Sequence, residues 1–235
     1  MDGNGRWGLR QGLSRCDGHL AGVEAVRRTV EAAPELGVTT LTLYAFSSDN
    51  WRRPAEEVEA LMTLFRRYLA SDGPRLIESG ARLSMLGRRD RLPADLAAAV
   101  AGLEAATAMG SELRLQIALD YSSRAAIVQA AAALGSNAEV EDLDQLITGG
   151  AEPVDLLIRT GGEQRLSDFM LWEAAYAELW FTERPWPDFG ADDLAAAIAD
   201  FRNRHRTFGA IPQVAPSRAD IAAAAKLPQP ALSAT

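Results

Sequence analysis

The stretch R-T-G-G-E-Q-R-L-S-D-F at 159–169 concentrates residue types that grip phosphate oxygens. Arg159 and Arg165 carry planar forks matched to two diphosphate oxygens, and Ser167 adds a third hydrogen bond. Gly161 and Gly162 let the backbone come close to a ligand. Alone, the segment would equally suit a glycine turn with solvated arginines. The following Y-A-E-L-W-F at 176–181 weakens that simpler reading by setting Glu178 at the start of the next strand. A carboxylate there, beside two arginines, can share a magnesium ion with a phosphate. At the other end of the chain, M-D-G-N-G-R-W puts Asp2, a glycine loop and Arg6 ahead of any clear strand or helix.

These residues need a scaffold, and the chain supplies an alternating one. Residues 19–36 read as an amphipathic helix ending near Gly37, and V-T-T-L-T-L-Y-A-F at 38–46 as a buried strand. A helix follows from Ala55, which Ser71-Asp72-Gly73-Pro74 should kink or end. Strands at 81–87, 112–120, 154–160 and 178–182 alternate with helices at 93–109, 122–134 and about 192–204. The pattern predicts an α/β fold with a mostly parallel central sheet flanked by helices. One domain is expected over 1–210, with a mixed connector at 135–153 and a loosely ordered tail at 211–235. In an open parallel sheet, ligands collect beyond the carboxyl ends of the strands. The polar segments S-S-D-N-W-R-R-P (47–54), G-R-R-D-R (87–91), D-Y-S-S-R (120–124) and R-T-G-G-E-Q-R-L-S-D (159–168) all fall there.

Composition narrows the chemistry further. The 235 residues carry a formal charge of −8, which disfavours a nucleic-acid partner. Lys226 is the only lysine, Cys16 the only cysteine, and His19 and His205 the only histidines. Schiff-base chemistry, thiolate clusters and a histidine-built zinc site are therefore excluded, and a cytoplasmic setting is expected. No apolar run approaches the ~20 residues that span a bilayer, so at most peripheral membrane contact is expected. Asp, Glu, Asn, Ser and Arg remain, a set suited to diphosphates and magnesium.

The order of M-D-G-N-G-R-W, G-H (18–19), T-L-Y-A-F-S-S-D-N-W-R-R-P, I-R-T-G-G-E-Q-R-L-S-D-F, Y-A-E-L and W-P-D-F resembles the cis-prenyltransferases, the undecaprenyl diphosphate synthase family, from Met1 to about Gly209. The resemblance implies that Asp2 holds Mg2+ on a diphosphate, and that Gly3, Asn4, Gly5, Arg6 and Trp7 belong to the loop around an allylic prenyl diphosphate. Arg15 and His19, one helical turn apart, and Arg53 would reach the same phosphates. Asn50 and Trp51 match a loop over the reacting carbons. Arg159, Arg165 and Ser167 match the isopentenyl diphosphate site, with Glu178 assisting its metal. Asn50, Ser47 and a diphosphate oxygen are the expected proton route, with Asp49 more simply a solvated acid. Ala45, Leu61, Leu64, Phe65, Tyr68, Leu83 and Leu113 are candidates to line an apolar tunnel. A homodimer is implied as well.

Four features depart from the family pattern. A strand-forming segment is expected ahead of Met1 to position Asp2. The usual Asn-Tyr-Gly-Gly-Arg is Asp120-Tyr121-Ser122-Ser123-Arg124 here, which must alter packing under the site. Thr207 stands where an arginine reaching the partner's site is usual, and the connector at 135–153 is short. These differences leave open a short-chain or irregular, head-to-middle synthase of the lavandulyl type using dimethylallyl diphosphate. A non-catalytic partner subunit is disfavoured by the retained Asp2, Arg6, Arg159 and Arg165. A generic phosphate-binding module would lack magnesium dependence.

Overall fold

In the computed structural model, residues 1–204 are described, and one compact unit covers Met1–Phe201. The expected tail at 211–235, with His205 and Thr207, lies outside the described residues. Among the described residues five strands form, all parallel to their neighbours. β1 (Thr40–Ser47), β2 (Ala81–Leu86) and β3 (Leu113–Tyr121) are ordered β1-β3-β2, while β4 (Leu156–Arg159) pairs with β5 (Glu178–Phe181). The expected parallel sheet is thus hydrogen-bonded as two groups among the described residues.

β3 is the central strand, and its burial shows it: the four residues from Ala118 to Tyr121 are all buried. On β1 the register slips between Tyr44 and Phe46 and again before Ser47, which faces Tyr121. Such irregularity re-aims side chains at a strand end, here where the chain enters the polar segment at 47–54. Helices cover the sheet: α2 (Arg15–Glu35), α3 (Ala55–Glu78), α4 (Ala94–Ala106), α5 (Ser123–Ala133) and α7 (Ala191–Asn203). A short α1 (Asn4–Arg10) and α6 (Val140–Thr148) complete the set, the latter giving the connector a helix that its composition did not announce. One apolar cluster joins Leu43, Leu83, Leu113 and Leu115 to Val30 of α2 and Leu76 of α3. A second joins Phe46 and Met85 to Leu61 and Met62 of α3 and Leu96 of α4.

Two helix boundaries differ from expectation for identifiable reasons. α2 starts at Arg15 because Ser14 and Asp17 form a capping box, each side chain bonding the other's backbone N–H. α3 does not end at Ser71-Asp72-Gly73-Pro74 but continues to Glu78. Pro74 removes one helical donor, yet the turn is held from outside. Asp72, 4% exposed, accepts from Arg27 Nε at 2.6 Å and Nη2 at 2.7 Å. That ion pair ties α3 to α2 where the proline would otherwise stop the helix.

Candidate active site

Asp2 is fixed by its own backbone. Its N–H donates to Thr160 Oγ1 at 2.9 Å, and its carbonyl accepts from the Trp186 N–H at 2.9 Å. The N-terminal loop is thereby wedged between the end of β4 and the 3-10 turn Trp186–Asp188. Close approach explains the glycines on both sides. Gly3 has φ +96° and a Cβ there would lie 2.9 Å from Pro185 Cβ. Gly161 has φ +87° and its Cβ would meet the Asp2 carbonyl carbon at 3.0 Å. Larger residues would separate the two loops.

That wedge brings the first and the late motif together. Arg159 Nη2 donates to Asp2 Oδ2 at 3.0 Å, and the Gly3 N–H to Asp2 Oδ1 at 2.6 Å. Burial pushes the Asp2 carboxyl up, but the Arg159 and Gly3 hydrogen bonds and the charges of Arg159 and Arg6 outweigh it. The net result lies below the ordinary aspartate value, so Asp2 is ionised at neutral pH. The other fork of Arg159 donates to Ser167 Oγ at 2.8 Å and to the Arg165 carbonyl. Glu163 links Arg165 to Arg6, whose Nη1 stands 3.3 Å away, and Arg6 Nη2 donates to the Gly161 carbonyl at 3.1 Å. Asp2, Arg6, Arg159, Arg165 and Ser167 form one connected group. Carboxylates hold the guanidinium forks of Arg6, Arg159 and Arg165 in place.

A second cationic group sits on the other flank of the N-terminal loop. Glu57, in the first turn of α3, accepts from Arg53 Nη1 at 3.0 Å and lies 3.4 Å from Arg15 Nε. His19 Nε2 approaches Glu57 to 3.6 Å, too far for a hydrogen bond, and this buried nitrogen has no other partner among the described residues. Burial and the Arg53 charge hold His19 below the ordinary histidine value, and Glu57 only partly offsets them. A Cβ on Gly5 would lie 3.0 Å from Arg15 Cζ, so the loop carrying Asp2 also touches this group. Asn4 Oδ1 and Trp51 Nε1 are buried without partners too. Unsatisfied polar atoms are rare in folded proteins, and here three of them belong to residues expected to surround a ligand.

The 3-10 turn Ser48–Arg52 leads from β1 to Arg53 of the second group. Ser47 Oγ accepts from the Asp49 N–H at 3.1 Å, and Asn50 Oδ1 from the Ser47 N–H at 3.1 Å. Both candidates for the proton route therefore also shape their own turn, and the Asn50 amide nitrogen takes no part in that capping. Trp51 packs edge-on against Phe46, with Arg91 stacked 5.7 Å from its ring centroid. Arg91 forks onto the buried Asp120 at the end of β3, and Ser48 Oγ donates to the same carboxylate at 3.1 Å. The segments after β1, β2 and β3 thus meet at Asp120, and Ser122 carries the connection on to Asp168 after β4. The expected common rim is present.

Other expected residues are placed less directly. Trp7 Nε1 donates to Asp188 at 2.8 Å, so this indole anchors α1 to the Trp186–Asp188 turn. Glu178 pairs with Leu156, three residues before Phe181, which faces Arg159. That separates the Glu178 and Phe181 backbones by about 10 Å along the strand. Of the tunnel candidates, Leu61, Leu83 and Leu113 are closed into the core, whereas Ala45, Leu64, Phe65 and Tyr68 are half-buried. Sequence reasoning missed Glu57, Thr160, Glu163 and Arg91 as site-shaping groups. Only Glu57 carried a local signal, one helical turn after Arg53.

Among the described residues, no three Asp, Glu, His or Cys side chains converge on a point. An ionised Asp2 beside guanidinium groups still fits Mg2+, which binds through one or two carboxylates, phosphates and water. The fold and the site define an α/β protein with a cluster of arginines and carboxylates at the carboxyl ends of parallel strands. A family model described as "Putative undecaprenyl diphosphate synthase" matches residues 1–209. Isoprenyl transferase 1 of Bradyrhizobium diazoefficiens is 60% identical over 220 residues, covering 92% of this chain and 89% of that protein. The ditrans,polycis-undecaprenyl-diphosphate synthase ((2E,6E)-farnesyl-diphosphate specific) of Pseudomonas aeruginosa is 46% identical, covering 89% of this chain and 88% of its own. Lavandulyl diphosphate synthase from Lavandula x intermedia, solved with dimethylallyl diphosphate, superposes with a TM-score of 0.85 at 32% identity, covering 89% of this chain and 95% of that one. The chain belongs to the undecaprenyl diphosphate synthase family of prenyltransferases.

Proposed function

We propose that this chain transfers an allylic prenyl group from its diphosphate to isopentenyl diphosphate in a Mg2+-dependent cis-1'-4 condensation, giving a Z-polyprenyl diphosphate. The observation that carries this reading is the ionised Asp2, bonded to Arg159 and within 3.6 Å of Arg6. Arg15, His19 and Arg53 hold the allylic diphosphate; Arg159, Arg165 and Ser167 hold that of isopentenyl diphosphate. Asp2 would hold Mg2+, which when bound would supply charge neutralisation for the departing diphosphate. The arginines strengthen their hold as the allylic C1–O bond breaks and negative charge gathers on the leaving oxygens. The C3=C4 electrons of isopentenyl diphosphate form the new bond from C4 to C1. The C2 proton then leaves to a diphosphate oxygen, and its bonding pair becomes the C2=C3 bond. Asn50 and Ser47 orient that oxygen.

The half-buried Ala45, Leu64, Phe65 and Tyr68 are assigned to the growing hydrocarbon. Burial raises the Tyr68 phenol above its ordinary value, so it stays neutral against an apolar chain. Glu178 assists the metal only by a reach along β5 that the strand register makes long. Action in the cytoplasm as a homodimer, with at most peripheral membrane contact, completes the proposal. No helix among the described residues is long and apolar enough to cross a membrane.

Product analysis tests this reading. Purified protein with Mg2+, isopentenyl diphosphate and each allylic primer should yield linear Z products only when isopentenyl diphosphate is present. A branched product from dimethylallyl diphosphate alone would move the assignment to the head-to-middle class.

A further inference from the structure

The segment that carries Ser167 is strained and held from outside. Ser167 (φ 51°), Asp168 (φ 62°) and Met170 (φ 46°) all occupy left-handed backbone, which side-chain-bearing residues rarely adopt. Such a run persists only where its surroundings over-determine it, and the turn at 120–124 does so with four bonds. Ser122 Oγ donates to Asp168 Oδ2 at 2.5 Å, and the Arg124 N–H to Asp168 Oδ1 at 2.9 Å. The Ser123 N–H donates to the Asp168 carbonyl at 3.1 Å, and Ser123 Oγ, 1% exposed, accepts from the Leu171 N–H at 3.0 Å. Below, Phe169 stacks on Tyr44 with centroids 4.4 Å apart and meets Tyr121 edge-on at 6.0 Å.

We propose that Ser122, Ser123 and Asp168 are positioning residues that fix the 167–170 segment so that Ser167 and the Arg159 fork present one preset surface to the diphosphate of isopentenyl diphosphate. Glycines at 122 and 123 could supply neither hydroxyl. The two serines thus replace backbone freedom with a hydrogen-bonded lock, and Asp168 is its centre. Ser122 does this while capping α5, accepting from the Ala125 N–H at 3.2 Å, so the lock is rooted in a helix start. The inference rests on the assignment of Arg159 and Ser167 to that diphosphate.

The test is steady-state kinetics on the full chain with Ser122→Ala, Asp168→Ala, the conservative Ser122→Thr and Asp168→Asn, and Arg159→Gln as a control. Ser122→Ala and Asp168→Ala should raise KM for isopentenyl diphosphate about tenfold while kcat and KM for the allylic primer stay within about twofold. Threonine keeps the hydroxyl and should restore KM, whereas asparagine keeps one of the two acceptor oxygens and should restore it in part. Equal losses in both KM values, or unchanged kinetics, overturn the proposal. Should Ser122→Ala fail to fold through loss of its cap, Asp168→Ala carries the same test. If Arg159→Gln leaves KM for isopentenyl diphosphate unchanged, the site assignment itself fails. If only the Ser122 and Asp168 variants are silent, the lock alone fails.

Discussion

Replacing Arg159 with glutamine separates the two jobs that the structure gives this side chain. Arg159 is 13% exposed at its side chain and spans Asp2 Oδ2 at 3.0 Å and Ser167 Oγ at 2.8 Å. Loss of one charge-assisted hydrogen bond to a diphosphate oxygen is worth about 1.5–3 kcal/mol, a rise of roughly 10- to 150-fold in KM for isopentenyl diphosphate. The second effect falls on Asp2. Burial, which pushes its carboxyl up, remains, while the strongest opposing hydrogen bond disappears. The Asp2 value therefore rises, and the acid limb of the pH profile of kcat/KM moves to higher pH. Asp2 is only half-buried, so folding stability should change by less than about 1 kcal/mol. Arg159→Lys keeps the charge but offers no planar fork to span both partners, and should fall between wild type and glutamine. Steady-state kinetics in both substrates across pH, with a thermal melt on each variant, measures all of this. Wild-type KM for isopentenyl diphosphate with an unmoved acid limb in Arg159→Gln would refute the reasoning.

Further outcomes follow from the same geometry. Asp2→Asn should remain folded, since its backbone bonds to Thr160 and Trp186 are kept, yet lose turnover and magnesium-stimulated diphosphate binding, as titration calorimetry would show. His19 lies below the ordinary histidine value in the free protein, and a bound diphosphate must raise it. Allylic diphosphate binding should thus take up a proton near neutral pH and tighten as pH falls through the bound-state value; calorimetry in buffers of different ionisation enthalpy should show that uptake, and His19→Gln should abolish it. Arg27→Met leaves Asp72 buried and unpaired and should destabilise the fold by about 3 kcal/mol in chemical denaturation, with much of the loss recovered by adding Asp72→Asn. Burial opposes ionisation of Asp72, but Arg27 and Ser71 hold its value below the ordinary range. Its stabilisation should therefore be complete above the unfolded aspartate value and be lost as pH falls through the folded one.

The strands were legible because β-branched and apolar runs such as T-L-T-L-Y-A-F need no long-range information, and the helices between them follow the 3.6-residue period. What local sequence could not show was the support supplied from far away. Pro74 argued for a helix end, and only the Arg27–Asp72 pair, 45 residues apart, shows why α3 runs on. The same limit shaped the reading of the site. Asp2, Arg159 and Ser167 could be paired from motif chemistry, but Thr160, which fixes the Asp2 backbone across 158 residues, carried no mark of that role. The unusual D-Y-S-S was visible as a departure, yet its use became clear only when Ser122 met Asp168 and Asp120 met Arg91. The family resemblance places Trp7 in the ligand loop, and its indole N–H donates to Asp188, a contact that no local signal announced.

The most direct test of the central claim is a crystal structure with Mg2+, an allylic thiolodiphosphate and isopentenyl diphosphate bound together. The account predicts a metal about 2.1 Å from an Asp2 carboxylate oxygen and an allylic phosphate oxygen. It also predicts Arg159, Arg165 and Ser167 on the isopentenyl diphosphate, with Arg15, His19 and Arg53 on the allylic one. Diphosphates seated away from Asp2, or a metal that leaves Asp2 bonded only to Arg159, would contradict it.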